Sequence, residues 1–84
     1  MKLNYNSTTD VLYLTFIKAK ADETIMDDEF IVYRYKDKKL LGITIDGFKD
    51  RIQKKELSKT FLDKYIPEET FKTLIKRIKE ENDS

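Results

Sequence analysis

The chain has 84 residues, 39% of them hydrophobic and 39% charged, with a formal net charge of +1 and no histidine, cysteine or tryptophan. That length fits a single domain, residues 1–84, whose thin core would gain from a helix laid over a sheet or from a second copy. The composition excludes a disulfide framework, thiolate metal sites, a cysteine nucleophile and the usual general base near neutral pH.

The opening Met1-Lys2-Leu3-Asn4-Tyr5 lacks the apolar stretch of a signal peptide, and no run approaches transmembrane length. A soluble cytoplasmic protein is expected. Lys2-Leu3-Asn4-Tyr5 alternates polar and apolar as a short strand does, and the small polar run Asn6–Asp10 suits a hairpin turn. Asp10–Ile17 is the longest apolar run, rich in β-branched and aromatic residues, and is expected to be the central strand. Leu12, Leu14 and Phe16 share its core face. Val11, Tyr13, Thr15 and Ile17 share the other, which is apolar enough to call for a helix or another subunit.

After a connection over residues 18–23, Thr24-Ile25-Met26 adds a short strand and Asp27-Asp28-Glu29 a turn. Phe30–Lys36 is a strand with Phe30, Val32 and Arg34 on one side and Ile31, Tyr33 and Tyr35 on the other. The short polar turn Asp37-Lys38-Lys39 leads into a fifth strand, Leu40–Asp46. Gly42 within it predicts close approach of another backbone or a large ring, and Asp46-Gly47 ends the sheet.

From Phe48 the apolar period becomes helical. Phe48, Ile52 and Leu57 are followed by Phe61, Leu62, Tyr65 and Ile66, with Ser58 as a cap. Pro67 opens a last helix whose Phe71, Leu74, Ile75 and Ile78 share one face, and Asn82-Asp83-Ser84 are expected to fray. The predicted fold is α+β: a small antiparallel meander of four or five strands over 1–47, then two or three C-terminal helices over 48–84 packing on one sheet face.

Three stretches together resemble a known family: Lys2-x-x-Tyr5-Asn6-x-x-x-Asp10-x-Leu12-Tyr13-Leu14, Ile31-Val32-x-x-Tyr35, and Leu41-Gly42-Ile43-x-Ile45. The pattern, over about residues 1–52, resembles the bacterial domain-of-unknown-function family numbered two-two-eight-three. The chain departs from it at Asn6, where aspartate is common, in the Asp37-Lys38-Lys39 turn, which lacks the usual glycine, and in the tail from Gln53. The resemblance implies a small antiparallel β fold and no established catalytic activity. Some members look like small partners of toxin-like proteins, and no functional residue carries over.

Carboxylates, Lys, Tyr and Ser/Thr remain for chemistry, and no arrangement of them stands out as catalytic, so the chain is expected not to be an enzyme and to need no cofactor or metal. The acidic run Asp22, Glu23, Asp27, Asp28 and Glu29 reads as an exposed turn blunting a sheet edge, with weak Mg²⁺ or Ca²⁺ binding as the alternative. Asp10, beside Tyr13, reads as a turn residue rather than half of a catalytic pair.

Charge is unevenly spread: residues 1–29 hold three lysines against six acids (−3), residues 30–64 ten basic side chains against five acids (+5), and residues 65–84 four against five (−1). Tyr13, Phe30, Tyr33 and Tyr35 are candidate anchors of a protein interface, which makes a protein-binding module the first expectation, in the form of an antitoxin or a small phage-type inhibitor. A homodimer is expected over a monomer, with a toxin or target enzyme as partner and no membrane. The alternative is a nucleic-acid-binding accessory protein using Arg34, Lys36, Lys38, Lys39, Arg51, Lys54, Lys55 and Lys59.

Overall fold

The alternating stretches form five strands and the helical stretches three helices in a computed structural model that describes residues 1–82. In chain order these are β1 (Lys2–Asn6), β2 (Val11–Thr15), β3 (Glu23–Met26), β4 (Ile31–Lys36), β5 (Lys39–Asp46), α1 (Phe48–Gln53), α2 (Lys59–Tyr65) and α3 (Glu68–Asn82). They fall into two compact units, one of residues Met1–Phe48 and one beginning at Lys49. α3 runs through Asn82, one of the three residues expected to fray, and the expected fraying of Asp83 and Ser84 lies outside the described residues.

All five strands pair antiparallel, as the alternation predicts, in the order β1-β2-β5-β4-β3. This order corrects two expectations. The sheet is not a chain-order meander, and its centre is β5 rather than the strand at Asp10–Ile17. The chain leaves β2 and returns at the far edge as β3, so that β5 can insert between β2 and β4. β5 is the longest strand, and its Leu41, Ile43 and Ile45 are almost wholly buried, which suits the position with a strand on each side. β2 is shorter than its apolar run: it stops at Thr15, where the N–H groups of Phe16 and Ile17 both donate to the Leu41 carbonyl, at 2.7 and 3.1 Å.

Register then fixes the faces. Tyr5, Leu12, Ile45 and Ile31 lie side by side across four strands, as do Leu3, Leu14, Ile43 and Tyr33. Leu12, Leu14, Ile43 and Ile45 are fully buried, and the ring of Phe48 meets that of Tyr5 edge-on, with centroids 6.0 Å apart. This is the core face of the sheet unit. Burying a side chain of this kind contributes about 1.5–3 kcal/mol.

The turns explain where the strands stop. Asn6 Oδ1 accepts the N–H groups of Thr8 and Thr9, at 3.0 and 3.3 Å, and so turns β1 into β2. Lys36 pairs with Lys39 around Asp37 and Lys38, which both have positive φ (49° and 67°), the two-residue turn that matches strand twist. Gly47, at φ 66°, releases β5 into α1.

In the second unit, Lys55 takes φ 57° after α1, with its N–H on the Ile52 carbonyl and that of Glu56 on the Arg51 carbonyl, a left-handed helix stop. Ser58 caps α2 as expected, its hydroxyl accepting the Phe61 N–H at 3.1 Å. The Pro67 carbonyl accepts the Phe71 N–H at 2.9 Å and starts α3. Along α3, Leu74 and Ile78 are buried while Phe71 and Ile75 form a half-buried row beside them.

Lysine at φ 67° is strained where glycine is not. Lys38→Gly is therefore expected to stabilise the protein by about 1 kcal/mol, read as a higher urea midpoint at unchanged slope.

Candidate functional site

The polar residues of the opening motif are occupied in building the first hairpin. Tyr5 donates its hydroxyl to Asp10 Oδ1 at 2.6 Å, and the Asp10 carbonyl accepts the Phe48 N–H at 3.1 Å. Asp10 itself takes φ 56°, where aspartate is better tolerated than most residues. Its tyrosine partner is thus Tyr5, whereas Tyr13 lies on the opposite face of the sheet. The acidic run also has local roles. Asp27 Oδ1 accepts the N–H groups of Glu29 and Ile31 at 2.9 and 3.0 Å, its Oδ2 accepts the Tyr33 hydroxyl at 3.2 Å, and Asp22 accepts the Asp37 N–H at 3.2 Å. Among the described residues, no three His, Cys, Asp or Glu side chains come together as a metal site.

The face opposite the core is open. One row across it is Asn4, Tyr13, Thr44, Val32 and Met26, and the next is Lys2, Thr15, Gly42, Arg34 and Thr24. Tyr13 is 39% exposed and Met26 59%. Arg34 lies flat over β5: its guanidinium donates to the Thr44 hydroxyl and, at 3.1 Å, to the Leu14 carbonyl. Gly42 sits directly beneath, and a β-carbon there would collide with the Arg34 guanidinium and the Leu14 carbonyl. The close neighbour expected over Gly42 is therefore a guanidinium and a backbone carbonyl rather than a ring. Among the described residues no carboxylate pairs with this half-buried cation.

The four candidate aromatic anchors separate by strand parity. Tyr33 and Tyr35 point with Ile31 and Ile25, on the core side, and Tyr33 is tied to Asp27. Tyr13 belongs to the open face, and Phe30 stands just before β4, 66% exposed and held at φ 65°. A bulky residue at that φ costs backbone strain, and here its ring gains little burial in return.

The candidate nucleic-acid contacts divide between the units. Lys36, Lys38 and Lys39 cluster at the β4–β5 turn and Arg34 is held on the open face, while Arg51, Lys54, Lys55 and Lys59 belong to the second unit. Lys54 pairs with Asp50 at 3.1 Å, and that hydrogen bond, together with the charges of Asp50 and Glu56, raises its pKa above the ordinary lysine value. Both partners are well exposed, so the pair contributes little to stability.

One feature of the second unit had no signal in the sequence beyond its apolar periodicity. α2 and the start of α3 enclose a groove of about 600 Å³ lined by Leu62, Ile66 and Phe71, with Lys59, Asp63, Glu68 and Lys72 at its rim. A shallower depression of about 310 Å³ continues along α3 over Phe71 and Ile75, bordered by Lys72, Lys76 and Lys79. Lys72 also pairs with Glu68 at 3.4 Å.

The sheet unit is thus a five-stranded antiparallel domain whose motif polar groups serve the fold. The family model described as a protein of unknown function (DUF2283) matches residues 2–49, and the chain belongs to that family. No curated protein and no solved structure matches it. No helix among the described residues is long and apolar enough to cross a membrane.

Gly42→Ala is expected to destabilise the protein by about 1–3 kcal/mol, because the guanidinium and a backbone carbonyl must both give way. Chemical denaturation measures it.

Proposed function

We propose that this chain is a non-enzymatic, cytoplasmic protein-binding module that works as a homodimer and restrains a partner protein, as an antitoxin or a small phage-type inhibitor does. The observation that carries the reading is the groove between α2 and α3, whose apolar floor of Leu62, Ile66 and Phe71 is open to a side chain or helix from another molecule. The lysines along it, Lys59, Lys72, Lys76 and Lys79, outnumber Asp63 and Glu68, so the segment that fits is an amphipathic helix with an apolar stripe flanked by carboxylates. The groove lies beyond the family match, which ends at residue 49. Supporting a binding rather than a catalytic role, the polar side chains of the opening motif are engaged in turns. The division of the basic residues between two units, with Arg34 and Lys54 already engaged, favours a protein over a nucleic acid as partner.

The test is capture of the tagged chain from its native cells with and without nuclease, set beside capture with Phe71→Glu and with Lys72→Glu/Lys76→Glu, each checked for unchanged helix content. One stoichiometric protein, held by the wild type and lost from both variants, is the expected result. Recovery of nucleic acid alone in the absence of nuclease, or a protein partner held equally by all three chains, contradicts the reading.

A further inference from the structure

The open face of the sheet carries a charge pattern that is complementary to itself. Its middle row, Tyr13, Thr44 and Val32 with Asn4 at one end and Met26 at the other, is uncharged. On one side lies the row of Lys2 and Arg34, and on the other the row of Asn6, Val11 and Asp46. Successive rows are two residues apart along the strands, about 7 Å. The Arg34 guanidinium has been drawn over Gly42, so the positive charge sits on β5, four residues from the Asp46 carboxylate of the same strand.

Two copies packed face to face have two simple two-fold arrangements. An axis along the strands lays the Lys2–Arg34 row on its own counterpart and sets like charges together. An axis across the strands, along the Tyr13–Thr44–Val32 row, lays that row on itself and brings the Arg34–Gly42 position of each copy over Asp46 of the other. Only the second neutralises a half-buried cation that no carboxylate among the described residues of its own chain pairs with, and it does so twice per dimer. Asp46 also has a contact within its own chain, and a carboxylate has lone pairs for more than one donor. Pairing through the β3 edge is disfavoured, because Asp22, Glu23, Asp27, Asp28 and Glu29 crowd that edge in both copies.

We propose that the open sheet face is a homodimer interface in which Tyr13, Thr44 and Val32 meet their own counterparts and Arg34 of each chain pairs with Asp46 of the other. It deepens the homodimer part of the proposed function and is independent of the partner groove, which lies in the second unit.

The test is sedimentation of the full chain over roughly a hundredfold range of concentration, without any partner protein present. A concentration-dependent dimer is expected, with its dissociation constant raised at least about tenfold in Arg34→Glu and in Asp46→Lys. Mixing the two variants is the decisive arm. Their heterodimer would hold one Glu–Lys pair and one native Arg–Asp pair, so the mixture is expected to dimerise where neither variant does alone. That rescue cannot come from misfolded chains. A wild type that stays monomeric throughout, a dimer indifferent to both substitutions, or a mixture that stays monomeric overturns the proposal. None of these outcomes bears on the groove, whose own test is capture of a partner.

Discussion

Arg34 spans three strands. From β4 it crosses the bare backbone of Gly42 on β5 and donates to a carbonyl of β2, with the Thr44 hydroxyl as a second acceptor on the way. The hydrogen bonds of the ladder hold neighbouring strands in pairs, but this side chain links strands that are not neighbours. It joins the two parts of the sheet that the chain lays down separately, the β1–β2 hairpin and the β3–β4–β5 run. The same contact explains why a glycine stands in the most buried strand, where any side chain would occupy the guanidinium's place. It also leaves a positive charge fixed on the open face beside the uncharged Tyr13–Thr44–Val32 row, the feature from which the reading of that surface follows.

The family match and the physical division of the chain nearly coincide: residues 2–49 match, and the sheet unit is Met1–Phe48. The matched motif polar groups are spent on structure. Tyr5 holds Asp10, the Asp10 carbonyl receives Phe48, and Asn6 turns the first hairpin. Membership in the family therefore describes a way of building a sheet. Beyond the matched residues lie α2 and α3, where a short capped helix and the proline-led start of a longer one leave an apolar groove between them. The two proposals together assign self-association to the sheet and partner recognition to the helices.

Much of the sheet was legible in the sequence because strand periodicity is a local property. Alternation placed Val32 and Arg34 opposite Ile31, Tyr33 and Tyr35, though Phe30, counted with them, stands before the strand, and Ser58 announced the start of α2. Strand order was not legible. Alternation tells which face a side chain takes but not which strand lies beside it, and the β2–β5 pairing joins segments far apart in the chain. The aromatic set divides for a related reason: register sends Tyr13 to one face of the sheet and Tyr33 and Tyr35 to the other. Gly42 signalled a close approach, but its occupant depends on an arginine reaching in from the neighbouring strand. The groove had no local signal, since Leu62, Ile66 and Phe71 read equally as core until two helices are placed side by side.

The division of labour is tested most directly by a concentration series of backbone amide spectra of the full, isotopically labelled chain. The account predicts shifts that grow with concentration along the open-face rows, at Tyr13, Thr15, Val32, Arg34, Thr44 and Asp46, while residues lining the groove, such as Leu62, Phe71 and Lys72, stay fixed. Shifts centred on the groove, or none on the sheet at any concentration, would contradict it.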